Sequence, residues 1–210
     1  MAHATSLDEL RKRVADLGIG GWFNEDDGMA FFTHLTKDAP KTGSFVEIGS
    51  WMGRSTAFIA TAAILRKQPM VAIDHFVGSE EHDNLMPGLN GTTWPQYEFN
   101  MKNLGLFDYI NTLKMKAEEA LPIVTEKFAP IAFLFVDGAH DFDSVTRNIN
   151  QYGPLVMPGG CILFHDHGNV NTAAALTANQ YLKDHFQTMS LNGMRMEYKL
   201  GRLHHDTQIQ

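Results

Sequence analysis

Cysteine is almost absent from this 210-residue chain: Cys161 is the only one. An internal disulfide is therefore excluded, which agrees with a reducing compartment. Cys161 sits in the apolar run Cys161-Ile162-Leu163-Phe164, so a buried structural role is expected rather than a reactive thiol. No apolar stretch is long enough to span a bilayer. Residues 1–16 lack the basic-then-apolar order of a signal peptide. The expectations are a cytoplasmic location and no membrane partner. Positive charge is scarce as well, with 17 Lys and Arg against 24 Asp and Glu and a net charge of −7. The one basic cluster, Arg11-Lys12-Arg13, lies beside Asp8, Glu9 and Asp16 and reads as a solvated helix face. Nucleic acid is not an expected partner. Repeats and low-complexity segments are missing too. What remains is an ordinary globular composition, 44% hydrophobic and 20% charged, of a length that suits a single domain with a substantial core.

Two helices open the chain, at residues 7–17, ended by Gly18, and at 25–35. Ser44-Phe45-Val46-Glu47-Ile48 reads as a buried strand stopping at Gly49, followed by a helix from Arg54 to Lys67. Strands are predicted at 70–73, 109–114, 131–136 and 161–164, and helices at 96–104, 118–127, 144–152 and 172–185. Pro158-Gly159-Gly160 reads as a turn, and two last strands flank Asn192-Gly193, a strong hairpin signal. Residues 78–95 form a polar, Gly-, Pro- and Asn-containing stretch, long for a plain connection and therefore expected to act as a lid. Alternating strands and helices predict an α/β fold: a doubly wound, mostly parallel sheet with an antiparallel hairpin at one edge. Ligands in such sheets bind beyond the carboxyl ends of the strands. Acids, glycines and histidines collect at those ends: 47–53, Asp74, 137–140 and Asp166-His167.

Glu47-Ile48-Gly49-Ser50-Trp51-Met52-Gly53-Arg54-Ser55 follows the first strand and opens a helix. Its glycines allow close backbone approach to a ligand, and the helix start suits a carboxylate. The Gly-x-x-x-Gly spacing is not that of dinucleotide binders. Glu47 suits a cationic amine and repels a pyrophosphate. Asp74, closing the second strand, is placed to accept hydrogen bonds from a ribose diol. A ligand with an amino-acid end and a nucleoside end fits both features, and S-adenosylmethionine has both.

This motif resembles the first motif of class I S-adenosylmethionine-dependent methyltransferases, and in particular the Glu-x-Gly-x-x-x-Gly-x-Ser pattern of catechol O-methyltransferase. Phe135-Val136-Asp137-Gly138-Ala139-His140-Asp141-Phe142-Asp143, and Pro158-Gly159-Gly160 through Phe164-His165-Asp166, are similar to later motifs of the bacterial methyltransferase family 24, in the neighbourhood of macrocin O-methyltransferase-like and cephalosporin-hydroxylase-like proteins. The resemblance runs from Phe45 onward. It implies a Rossmann-like seven-stranded fold and cofactor contacts from Glu47, Gly49, Ser50, Gly53, Ser55, Asp74 and His75. It also implies that Ala117-Glu118 lie beside the adenine, with Asp137 at the reacting end. Residues 1–40 carry no such motif and are expected to cover the substrate side of this single domain.

Asp137 and Asp166 end two strands with nothing basic between them, and a hard divalent cation such as Mg²⁺ would relieve their repulsion. The catechol O-methyltransferase resemblance implies the same two acids as ligands, with a third at the place where this chain has His167. His167 is thus a candidate ligand or base. His140, three residues after Asp137, stands where that family has its lysine base, and histidine works near neutral pH; capping the following helix is its competing reading. Trp94, in the long polar stretch, is a candidate substrate contact, whereas Trp51 packs or stacks. The expected activity is metal-assisted methylation of a hydroxyl on a small molecule, a sugar or secondary metabolite. The alternatives are a metal-independent O- or N-methyltransferase with a histidine base, and a cofactor-binding subunit without turnover. Base rates for soluble enzymes favour a homodimer.

Overall fold

The structure, a computed structural model, describes residues 3, 4, 6–79 and 82–200. Helices α1 (Leu7–Leu17) and α2 (Glu25–Lys37) precede the sheet. Ser6 caps α1 and Gly18 ends it in the left-handed region, while Asn24 caps α2. Then β1 (Ser44–Ile48), α3 (Arg54–Arg66), β2 (Met70–Ile73), α4 (Trp94–Leu104), β3 (Ile110–Leu113), α5 (Ala117–Lys127), β4 (Ile131–Val136) and α6 (Phe142–Tyr152) alternate along the chain. The remainder is β5 (Val156–Phe164), α7 (Val170–Ala178), α8 (Gln180–His185), β6 (Phe186–Leu191) and β7 (Met194–Lys199).

The seven strands form one sheet in the order β3-β2-β1-β4-β5-β7-β6. The first five are parallel; β7 runs antiparallel to β5 and β6 antiparallel to β7. Both faces of the inner strands are buried, which explains their unbroken apolar runs. Phe45, Met70, Phe133, Phe135, Cys161 and Leu163 pack toward α1 to α4. Their neighbours Val46, Val71, Leu134, Val136, Ile162 and Phe164 pack toward α5 to α8. The chain leaves β1 toward β2 on one side and later returns to β4 on the other. The crevice of a doubly wound sheet opens at such a reversal. Among the described residues no helix is long and apolar enough to cross a membrane.

Three elements differ from the sequence reading. Pro158-Gly159-Gly160 is no turn but an irregular part of β5. Gly159 has φ +79 there, and a Cβ on Gly160 would lie 2.8 Å from the Ala132 carbonyl, so the strand bulges without leaving the sheet. The expected helix at 172–185 starts at Val170 and is broken at Asn179, whose side chain accepts from Leu182 N at 3.0 Å and caps α8. Helix α4 starts at Trp94 rather than residue 96, because Pro95 occupies its first turn. The Asn192-Gly193 hairpin forms as expected, with φ +51 and +83 at the two turn residues.

Candidate active site

The turn after β1 is built around glycines that no other residue could replace without strain. Gly49 has φ +92, and a Cβ there would lie 2.1 Å from the Asp137 carbonyl oxygen. The missing side chain therefore lets the β1 and β4 ends touch. Below this turn Glu47 is fully buried and accepts hydrogen bonds from the hydroxyls of Ser50 (2.8 Å), Ser55 (2.6 Å) and Thr56. Burial pushes its carboxyl up to about 7, against the pull of the three hydroxyls. Above, Asp74 Oδ2 accepts from the backbone N–H groups of Ser50 and Trp51, each at 2.8 Å, and its Oδ1 accepts from Phe76 N–H at 2.6 Å. Two acids thus hold the loop from opposite sides.

A cleft of about 550 Å³ opens at the carboxyl ends of the strands. Gly49, Ser50, Ser55, Asp74 and His75 line one part of it. Ala117 and Glu118, at the start of α5, line another, and Asp137, His140 and Asp166 a third. Three candidates lie off its wall. Glu47 is beneath the loop rather than facing a ligand, Gly53 is turned toward Met101 and Tyr97, and His167 is not among the lining residues.

At the β4 and β5 ends four titratable groups converge. His165 Nδ1 lies 3.0 Å from Asp137 Oδ1 and 2.8 Å from Asp166 Oδ2. His140 Nε2 lies 3.2 Å from Asp166 Oδ2 and 3.8 Å from Asp137 Oδ1. Burial works against an imidazolium at His165, but the bond and charge of Asp137 and the charge of Asp166 outweigh it and push the group up to about 9. Asp166 adopts φ +48, a conformation uncommon outside glycine and often found where geometry serves a site. Helix α6 is capped by Asp141, whose carboxylate accepts from Ser144 N at 2.8 Å, so the capping role weighed for His140 falls to its neighbour. One ligand atom each from Asp137, His140 and Asp166 lie within 4.8 Å of one another, a grouping able to hold a cation. His167, expected in that group, is not part of it.

His165 escaped the sequence reading. Its signal was the period of two along β5: Cys161 and Leu163 face α1 to α4, and His165 continues that row past the strand end. The wall on that side is Gly20-Gly21-Trp22-Phe23, from the segment between α1 and α2. The Phe23 ring centroid is 6.2 Å from that of His165. Trp51 lines the cleft and packs with Trp22 (5.6 Å) and His82 (4.7 Å). Trp94, expected near a substrate, instead packs against Phe76, Tyr97 and Phe107 away from the cleft, because the helix starting there turns its ring inward. His204 and His205 lie outside the described residues.

Solved structures share this arrangement of strands. The O-methyltransferase NovP superposes with a TM-score of 0.62 at 18% identity, over 93% of this chain and 79% of that one. The O-methyltransferase TomG from Streptomyces achromogenes, solved with S-adenosylmethionine, gives 0.59 at 13% identity over 93% and 89%. An O-methyltransferase from Bacillus cereus, solved with S-adenosylhomocysteine, gives 0.57 at 15% over 96% and 93%. At these identities the likeness is one of fold. A family model described as a methyltransferase domain matches residues 46–167, from β1 through the Asp166 turn. As that match covers more than half of the chain and the carboxyl ends of β1 to β5, the chain belongs to methyltransferase family 24, among the class I S-adenosylmethionine-dependent methyltransferases.

Proposed function

We propose that the protein transfers the methyl group of S-adenosylmethionine to a hydroxyl oxygen of a small acceptor, with a divalent cation at Asp137 and Asp166. One observation carries this reading: a single cleft joins the Asp74 loop and the Ala117-Glu118 helix start to the acid and histidine cluster. A nucleoside cofactor lying along the first two would bring its sulfonium methyl toward the third. Asp74 is the ribose acceptor in this reading, and Ala117-Glu118 flank the base. Glu47 braces the loop through three hydroxyls and leaves the amino-acid end to Gly49, Ser50 and Ser55.

The donor set fits a cation. The carboxylates of Asp137 and Asp166 converge with the His140 imidazole within 4.8 Å; Mg²⁺ favours the carboxylate oxygens, so the two acids would hold it and His140 would stay outside its coordination. When bound, such a cation lowers the pKa of an acceptor hydroxyl and orients it. His140, within 3.8 Å of both acids, then stands ready to take the hydroxyl proton. His165 holds the two carboxylates at a fixed separation. The 20–23 wall, with Gly78, Ser79 and His82, closes the acceptor side in this reading, within one domain. The chain after His82 carries a 3₁₀ turn at Met86–Leu89 and is tied back by Thr93 N–H to the Phe76 carbonyl at 2.9 Å.

A second reading omits the cation. The His165 N–H faces both carboxylates, and histidines alone then balance the two acids. Labelled S-adenosylmethionine, offered with a panel of hydroxylated acceptors, separates the readings. Expected are methyl ethers as products, loss on chelation, and recovery with Mg²⁺. His140→Gln should lower turnover by about a hundredfold or more, and His167→Asn should leave it near the native rate. Indifference to chelator selects the second reading. Binding of S-adenosylhomocysteine with no transfer to any acceptor removes the enzymatic proposal.

A further inference from the structure

The cleft is lined by four carboxylates, those of Asp74, Glu118, Asp137 and Asp166. Among its cationic lining residues, Arg147 is engaged by Glu118 at 3.6 Å and Lys116 stands at the start of α5. Arg54 is different. Its one polar contact among the described residues is the Gly21 carbonyl, at 3.5 Å, the outer limit of a hydrogen bond. Glu25, which borders the same small hollow as Arg54, is already paired with Arg11. A guanidinium carries five donors in a rigid fork, and one long bond to the Gly21 carbonyl at an exposed contact leaves most of them open to a ligand in the cleft.

Its position says which ligand would use them. The side chain of Arg54 borders both the main cleft and a small hollow formed with Val14 and Phe58. It therefore runs along the N-terminal wall, beside Gly21, rather than inward to Glu47. The same wall carries Phe23, whose ring lies beside His165. Arg54 thus lines the cleft against the segment that, two residues after Gly21, reaches His165 through Phe23. We propose that Arg54 binds an anionic group of the acceptor, so the substrate carries a carboxylate or phosphate besides the hydroxyl that is methylated. This rests on the transfer to a hydroxyl argued above. Both anions present paired oxygens that a guanidinium meets with two parallel hydrogen bonds, while lysine would supply only a point charge.

The test uses the full chain loaded with S-adenosylhomocysteine and containing isotope-labelled arginine, with the Arg54 side-chain resonance assigned by its loss in Arg54→Gln. Matched pairs are titrated: para-hydroxybenzoate against para-hydroxybenzyl alcohol, and glycerol phosphate against glycerol. A saturable shift at Arg54 with a charged member and none with its neutral partner is expected, and the pair that responds identifies the anion. Arg54→Gln should weaken that binding by about tenfold or more, with affinity for S-adenosylhomocysteine within about twofold of native. Arg54→Lys should fall between. Equal shifts with neutral and charged members, or no shift with any anion, would overturn the proposal. A loss confined to S-adenosylhomocysteine would also overturn it and assign Arg54 to the cofactor carboxylate. Methyl transfer to the same pairs keeps the two claims apart. Anion binding at Arg54 without methylated product leaves the subsite standing and removes the hydroxyl transfer; equal methylation of both members, unaffected by Arg54→Gln, does the reverse.

Discussion

Glu47 shows how one side chain links the loop to pH. Its carboxyl is raised from 4.5 to about 7 by burial, so the folded state holds the proton more tightly than the unfolded chain does. For an acid raised in this way, the stabilising contribution is complete below pH 4.5 and is lost as pH climbs through 7. The loss is on the order of 3 kcal/mol, at about 1.4 kcal/mol per tenfold change in proton affinity. Glu47→Gln keeps the shape and the three hydroxyl partners but cannot ionise. Denaturant unfolding of both proteins from pH 4.5 to 8 should give a native stability that falls relative to the variant as pH rises. Parallel curves would mean that Glu47 stays charged in the fold. The same residue marks a limit of sequence reading. An acid before Gly49 was legible as part of a strand-to-helix loop at the cleft, but its burial against hydroxyls depended on Ser50, Ser55 and Thr56 turning inward together.

At the level of elements, the junction of β1 and β4 rests on the absence of a side chain at Gly49. Gly49→Ala must meet both a left-handed backbone and an atom 2.1 Å away in the Asp137 carbonyl. Gly91→Ala meets only the first: φ is +75 and nothing lies within 4 Å. Gly91→Ala should cost about 1 kcal/mol, in line with the price of an unfavourable backbone alone. Gly49→Ala should cost about 2–4 kcal/mol, since packing strain adds to it. Equilibrium unfolding of the two variants checks this, and equal costs would show that the two strand ends are not in tight contact. Most elements were legible because a parallel strand buried on both faces leaves an apolar run, as in Ile131-Ala132-Phe133-Leu134-Phe135-Val136. Boundaries set by other contacts were not. Gly159 and Gly160 look like a turn in sequence, and only the approach of the Ala132 carbonyl explains why they stay in the sheet. Asn179 breaks a helix whose composition would otherwise carry on.

The molecule as a whole couples ligand to stability, because the cleft draws its wall from both halves of the sheet and from the N-terminal segment. S-adenosylhomocysteine at a hundred times its dissociation constant should raise unfolding free energy by about 2.7 kcal/mol and the thermal midpoint by several degrees. Asp74→Ala, measured at the same ligand concentration, should lose most of that gain; a full gain would remove Asp74 from the cofactor site. Placement of the cleft was legible, since strand ends announce themselves by Gly49, Asp74, Asp137 and Asp166. Its far wall was not. Trp22, Phe23 and Arg54 reach it through the way α1 and α2 lie on α3, a long-range packing that local sequence does not record.

The sheet order also dictates a sequence of events when the chain is made. Strand β5 gains its outer neighbour only from β7, whose residues emerge after those of β6. Until Met194–Lys199 has left the ribosome, β5 keeps one row of amide and carbonyl groups unpaired. Its end leads into His165 and Asp166, so half of the acid and histidine cluster stands on the part of the scaffold that is finished last. A nascent chain can already have paired β1 to β4, with Asp137 in place, before the strand leading to His165 and Asp166 is flanked on both sides.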